Sequence, residues 1–189
     1  MRNIIPVKAK NRKRLKIGIL GYTRPMITKQ QFIDNVMFET GVITHLFDKI
    51  PEGGFDYKPT EKQRTTMELL QYLGSMPSVA AQVIQTGDQS LWAKSAEMSA
   101  TVTKENFKDM MNGVAKTISE IVASMSDEQM NEEFEMWGEI MPKSAWMMNL
   151  TLKLFVAYKT QLFLYIKSAG NHDINTSNLW RGKDHVMEA

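Results

Sequence analysis

Apolar residues return at three- and four-residue steps through most of the chain, the spacing that gathers them on one face of an α-helix. From Thr28 to Ile50 the repeat runs through Phe32, Val36, Ile43, Phe47 and Ile50, with Thr28 placed to cap the first turn. "PEGG" ends that helix, and "FDYKPT" reads as an extended link. A second helix is expected from Thr60, carrying Met67, Leu70, Gln71, Gly74, Ser78 and Ala81 on one face and kinked at Pro77. "TGDQSLWAKSAEMSATVT" reads as a loop with a helical turn around Trp92. A third helix opens at Thr103, with Phe107, Met111, Val114, Ile118, Ile121 and Met125 as its inner stripe. Lys104, Glu105, Lys108 and Asp109 form its solvated side.

Ser126 and Asp127 begin a short acidic helical stretch through Trp137, and the glutamates at helical spacing in "SDEQMNEEFEMWGE" (Glu128, Glu132, Glu135, Glu139) read as a solvated face. Pro142 and Lys143 precede the last long helix, Ser144 to Ala169, which Gly170 terminates. Its stretch "FVAYKTQLFLYIKSAG" sets Tyr158, Gln161 and Tyr165 on a face otherwise made for burial, so these polar groups need partners. The tail after Gly170 is rich in turn residues, with Trp180 as the expected anchor. Four long helical patterns without a convincing strand predict an all-α protein, a four-helix bundle.

Composition narrows the class. A chain of 189 residues with 43% hydrophobic and 23% charged residues is long enough for one well-cored soluble domain. The absence of cysteine excludes disulfides, a thiolate zinc site and a cysteine nucleophile, and fits a reducing, cytoplasmic setting. No run approaches the roughly 18 apolar residues of a membrane span, so no membrane association is expected. Lys16 and Arg24 bracket too short an apolar run for a secretory signal.

The net charge of +2 conceals an asymmetry: residues 1–24 carry +8 and no acidic residue, leaving −6 for the rest. The chain divides accordingly into a basic N-terminal extension, 1–24, and a helical domain, 25–189. A basic arm suits an anionic surface, yet a solvated or loosely docked extension needs no such partner, and nucleic acid is not expected. "LKIGILGYTRP" in this head offers only G-x-x-G, short of the three glycines of a dinucleotide fingerprint, and reads as a short extended segment against the body.

No motif supplies catalytic residues. His45, His172 and His185 form no i, i+4 pair and are expected on the surface rather than on a shared metal. The glutamates lack the Glu-x-x-His partners of a carboxylate metal site. Fifteen methionines read as core filling, and neither a G-x-S-x-G elbow nor a P-loop is present.

The order and spacing of three segments nevertheless resemble the DinB/YfiT-like family of four-helix bundles over about residues 28–184. "LFDKIPEGGFDYKPTEKQRTTMELLQYLGSMP" is similar to the family's first loop and second helix, "LKLFVAYKTQLFLYIKSAGNHDIN" to its last helix, and "TSNLWRGKD" to its closing segment. The resemblance implies a divalent-metal site of three histidines, whose positions here are Gln71, Leu154 and Tyr158. Lys159, Gln161, Leu162, Tyr165 and Gly170 match the flanking pattern.

An amide, an alkyl group and a phenol with pKa near 10 make a poor substitute for three imidazoles. No metal and no other cofactor are therefore expected, and the thiol-transfer chemistry of some relatives loses its ion. The former metal site becomes a pocket at Gln71, Leu154 and Tyr158, with Met67, Trp146 and Gln161 as lining candidates. Gln71 and Tyr158 are expected to hydrogen-bond directly or through one water. Read through the resemblance, the chain is a DinB-like protein without the metal that binds a small molecule or serves as a homodimeric pseudoenzyme; the alternative is a transferase working in the same pocket without metal or through a thiol.

Overall fold

A computed structural model describes residues 27–185; the basic extension expected at 1–24 lies outside the described residues. Helix α1, Lys29–Phe47, starts at the expected cap: the Thr28 side chain accepts from the Gln31 N–H, and the Gln31 amide oxygen takes the Thr28 N–H. Its inner residues Phe32, Val36 and Ile43 are buried. Helix α5, Phe107–Ser124, buries the whole expected stripe from Phe107 to Ile121, and Met125 just beyond it.

The second helix differs from expectation. Thr65, not Thr60, caps α2, Thr66–Leu73, through a reciprocal box with Glu68. Pro77 does not kink a continuous helix; it sits in the first turn of a separate α3, Met76–Thr86, where a missing N–H costs nothing. At the break, a Cβ on Gly74 would stand 3.1 Å from Val102 Cγ2, so glycine permits close approach of the segment carrying Val102. That segment follows α4, Trp92–Thr101, which is longer than the single turn expected around Trp92. The third helix likewise begins at Phe107 rather than Thr103.

Helix formation after Ser126 stops early. Helix α6 spans only Asp127–Asn131, and β1, Glu133–Met136, pairs antiparallel with β2, Glu139–Pro142. The alternation Glu133 out, Phe134 in, Glu135 out, Met136 in has the period of a half-buried strand. Trp137 and Gly138 close the hairpin with φ of 53° and 81°, the positive values that a two-residue turn demands. Glu135 and Glu139 therefore face solvent from a hairpin, not from a helix.

Helix α7, Lys143–Met147, passes through a five-residue π turn, Met148–Leu152, into α8, Lys153–Ser168. The tail forms α9, Thr176–Arg181. Its buried members are Ile174 and Asn178, whereas Trp180, the expected anchor, is 65% exposed. Helix α1 packs on α5 and α8, and the α2–α3 arm packs on the same two helices from the other side. The result is an all-α bundle with one small hairpin, its core running between the four arms. Among the described residues no helix is long and apolar enough to cross a membrane.

Candidate functional site

The α2–α3 break and the π turn lie on either side of a divided cleft. One half, about 290 Å³, is lined by Tyr72, Met76, Ala80, Trp92, Ser95, Trp137, Leu150 and Leu154. The other, about 360 Å³, has Arg64, Glu68, Gln71, Ser75 and Ser99 in its wall and shares Tyr72, Met76 and Ser95 with the first. The two halves differ in chemistry: the first is walled by aromatic and aliphatic groups, the second by hydroxyls, an amide and two charges.

The π turn supplies Leu150, and Leu154 follows one turn later. One extra residue per π turn re-aims everything after it, and such bulges recur at functional sites. From the opposite side, the hairpin brings Trp137 over α4, its ring 5.8 Å from Trp92 and nearly parallel, and 5.9 Å from Trp146 edge-on.

The three positions named by the resemblance are not drawn to one point. Leu154 lines the apolar half and Gln71 the polar half. Gln71 does not bond to Tyr158: its Nε2 donates to the Val102 carbonyl at 3.3 Å. Tyr158 instead lies against Tyr72, ring centroids 5.0 Å apart. The reason is register: Tyr72, one residue on from Gln71, is the side chain that α2 directs at α8, while Gln71 faces the segment after α4. Burial, reinforced by the facing Tyr158 phenol, pushes the Tyr72 hydroxyl above its ordinary pKa, with Arg64 pulling the other way. The Arg64 guanidinium stands over the Tyr72 ring at 4.5 Å.

Met67, Trp146 and Gln161 are not in the wall of either half. Met67 packs against the core. Trp146 is buried behind Trp137 and donates its indole N–H to the Phe134 carbonyl at 2.8 Å. Gln161 donates to the Tyr165 hydroxyl at 2.6 Å, which gives two members of the polar stripe each other as partners. The fitness of the site for a three-histidine metal can be judged from its donors. Gln71 offers only a weak neutral amide oxygen and turns its N–H to the Val102 carbonyl, Leu154 has no ligating atom, and Tyr158 is a phenol packed on a second phenol. This set does not fit such an ion. Among the described residues no three of His, Cys, Asp or Glu cluster as metal ligands.

Sequence reasoning missed the second half of the aromatic wall. The sequence pattern sets Trp92 on a helical turn within a loop and Trp137 at the end of a helical stretch, and neither setting points toward Leu154. It also missed two polar features away from the cleft. Lys159 and Glu39 form an ion pair at 2.6 Å with side chains only 4% and 12% exposed. His45, expected on the surface, is half-buried and meets Asn178 at 3.0 Å.

No family model matches the chain. The uncharacterised protein YjoA of Bacillus subtilis is 23% identical over 156 residues, covering 79% of this chain and 96% of that protein. The crystal structure of YjoA, described as a DinB-like protein, superposes with a TM-score of 0.60 at 21% identity, over 74% of this chain and 92% of the other. Over the matched three quarters of its length, the chain thus has the fold of a DinB-like protein.

Proposed function

We propose that this DinB-like chain binds a small organic molecule in the divided cleft and works without the histidine-bound metal that the family resemblance implies. The observation that carries this reading is the cleft itself. It is lined by Leu154 and Gln71, two of the three positions named by the resemblance, and has the size and mixed character of ligand sites: mostly apolar walls with a few convergent polar groups. Tyr158 backs the dividing wall through Tyr72 rather than presenting a ligand atom to an ion.

The test is binding of a neutral apolar fluorophore, N-phenyl-1-naphthylamine, to the full chain. A saturable rise in emission that is lost in Leu150→Trp, which fills the apolar half, is expected. No saturable binding would overturn the reading. Metal analysis of the purified protein is the companion measurement, and one equivalent of tightly held zinc or nickel would overturn the metal-free part.

A second reading, a homodimer, is favoured by one surface feature. Met37 and Phe38 on α1 and Val156 and Leu164 on the adjoining α8 are large apolar residues about half exposed. Exposed apolar side chains on two neighbouring helices are candidates for contact with a second copy. Light scattering tests it: a monomer at micromolar concentration removes the dimer, and a dimer broken by Leu164→Glu supports it.

A further inference from the structure

The hairpin tip is where local backbone preference is violated. Trp137 holds φ at 53°, the non-glycine residue with positive φ among the described residues, at a turn position that favours asparagine, aspartate or glycine. The side chain so placed is 67% exposed, yet its ring faces Trp92 and closes the apolar half of the cleft. A strained backbone that persists in order to place an aromatic ring beside a cleft is an observation that points to ligand contact.

The walls define what fits. Within the apolar half no lining side chain is charged, and Tyr72, Trp92 and Trp137 contribute aromatic surface. The indole N–H of Trp92 is buried without an acceptor among the described residues, an unsatisfied donor in the same wall. Across the shared Tyr72–Met76–Ser95 boundary stands Arg64. Its guanidinium is steered by the Tyr72 face beneath it and has no carboxylate partner in an ion pair among the described residues. The neighbouring Glu68 turns one carboxylate oxygen onto the Thr65 N–H at 2.7 Å and keeps its negative charge in the same wall. A stacked guanidinium with free N–H edges is a receptor for a carboxylate, which it can grip through two parallel hydrogen bonds.

We infer that the cleft binds an aromatic acid, its flat ring system against Trp92, Trp137, Tyr72 and Leu154 and its carboxylate on Arg64. The inference rests on the cleft-binding reading above and adds the ligand's class. Ring stacking supplies the apolar part of the affinity, and the paired hydrogen bonds that Arg64 offers a carboxylate, set against the Glu68 charge beside it, select the acid over the alcohol and the ammonium.

Calorimetric titration of the full chain with 2-naphthoate, 2-naphthalenemethanol and 2-naphthylmethylammonium tests it. The acid is expected to bind about tenfold more tightly than the alcohol, as one charge-assisted hydrogen-bond pair provides, and the ammonium least. Arg64→Gln should level acid and alcohol. Trp137→Asn puts a favoured residue at the strained turn, so the hairpin persists, and it should weaken all three; circular dichroism checks the fold. An alcohol or ammonium binding as tightly as the acid, or a preference that survives Arg64→Gln, overturns the anionic assignment. Unchanged affinities in Trp137→Asn overturn the aromatic wall. Failure of all three probes while N-phenyl-1-naphthylamine still binds overturns the aromatic acid and leaves cleft binding standing; failure of the fluorophore as well overturns both.

Discussion

The Lys159 ammonium lies 2.6 Å from the Glu39 carboxylate across the contact of α8 with α1, with both side chains nearly closed to water. Lys159 also stands 5.7 Å above the Trp180 ring, which covers it from α9. Two charges removed from water in this way recover their desolvation cost only through each other.

Breaking this pair is therefore expected to cost more than removing it. Lys159→Met or Glu39→Leu alone leaves a buried charge unpaired and should destabilise the fold by about 3–5 kcal/mol. The double variant removes both charges and should recover most of that loss. Urea denaturation midpoints of the two single variants and the double variant measure the difference, and a double variant as unstable as the sum of the singles would contradict it.

His45 makes stability depend on pH near neutrality. The buried Asn178 uses its Oδ1 to accept the Asn175 N–H at 2.8 Å, which leaves its Nδ2 facing His45 Nε2 at 3.0 Å and Asp184 Oδ1 at 2.9 Å. With a donor pointing at it, Nε2 serves as the acceptor of a neutral imidazole. Burial first, then Lys49, lowers the His45 pKa below its ordinary 6.5, against the opposing pull of Asp184 and Asp48. A lowered histidine pKa means that the unfolded chain takes up the proton first. The stabilisation is thus complete above 6.5 and is lost as pH falls from there toward the folded-state value. Melting temperatures scanned across this range should fall with acid in the native protein and flatten in His45→Gln.

Gly74 should tolerate no larger residue without loss. A Cβ there meets Val102 Cγ2 at 3.1 Å and the Leu70 carbonyl at 3.3 Å. Val102 is buried and its carbonyl receives the Gln71 amide, so displacing it disturbs both the packing and that bond. Gly74→Ala is expected to cost about 1–3 kcal/mol, the range for overpacking a filled contact. Thermal unfolding reads the cost directly, and an alanine variant as stable as the native chain would show that the α4 segment yields freely.

The helices that fill the core were legible because one periodic stripe dictates each of them. Phe107, Met111, Val114, Ile118 and Ile121 permit no other reading, and Thr28 marks the start of α1 through a local capping bond. The hairpin resembles a helix in sequence because Glu128, Glu132, Glu135 and Glu139, running from α6 into β2, also satisfy helical spacing. The alternation of Phe134 and Met136 with Glu133 and Glu135, followed by Trp-Gly, was the competing signal, and it decides the structure. The cleft was half legible for a related reason. Gln71 and Leu154, which the resemblance sets in one pocket, line separate halves of the cleft. Tyr158's partner depended on whether α2 turns Gln71 or Tyr72 toward α8, a matter of about 100° of rotation that no apolar periodicity fixes. Lys159 escaped notice because a lysine on a helix is ordinarily solvated, and only its partner on α1 explains its burial.

The Tyr72–Tyr158 contact offers a titration that reads the dividing wall of the cleft without any ligand. Tyr72 is raised above its ordinary pKa of 10.0 by burial first and then by Tyr158, and lowered by Arg64. For an acid, a raised pKa means the native state holds its proton longer than the unfolded chain does. Its stabilisation is therefore fully present below 10.0 and is lost as pH rises through the folded-state value. Near-ultraviolet titration of tyrosinate should show one group ionising late in the native protein. Tyr158→Phe removes the facing phenol and should shift that group back toward, though not to, the ordinary value, because burial remains. Arg64→Gln removes the opposing cation and should shift it further up. Opposite movements in the two variants are the expected signature of a Tyr72 hydroxyl held between Tyr158 and Arg64, and movements of the same sign would place Arg64 away from that ring.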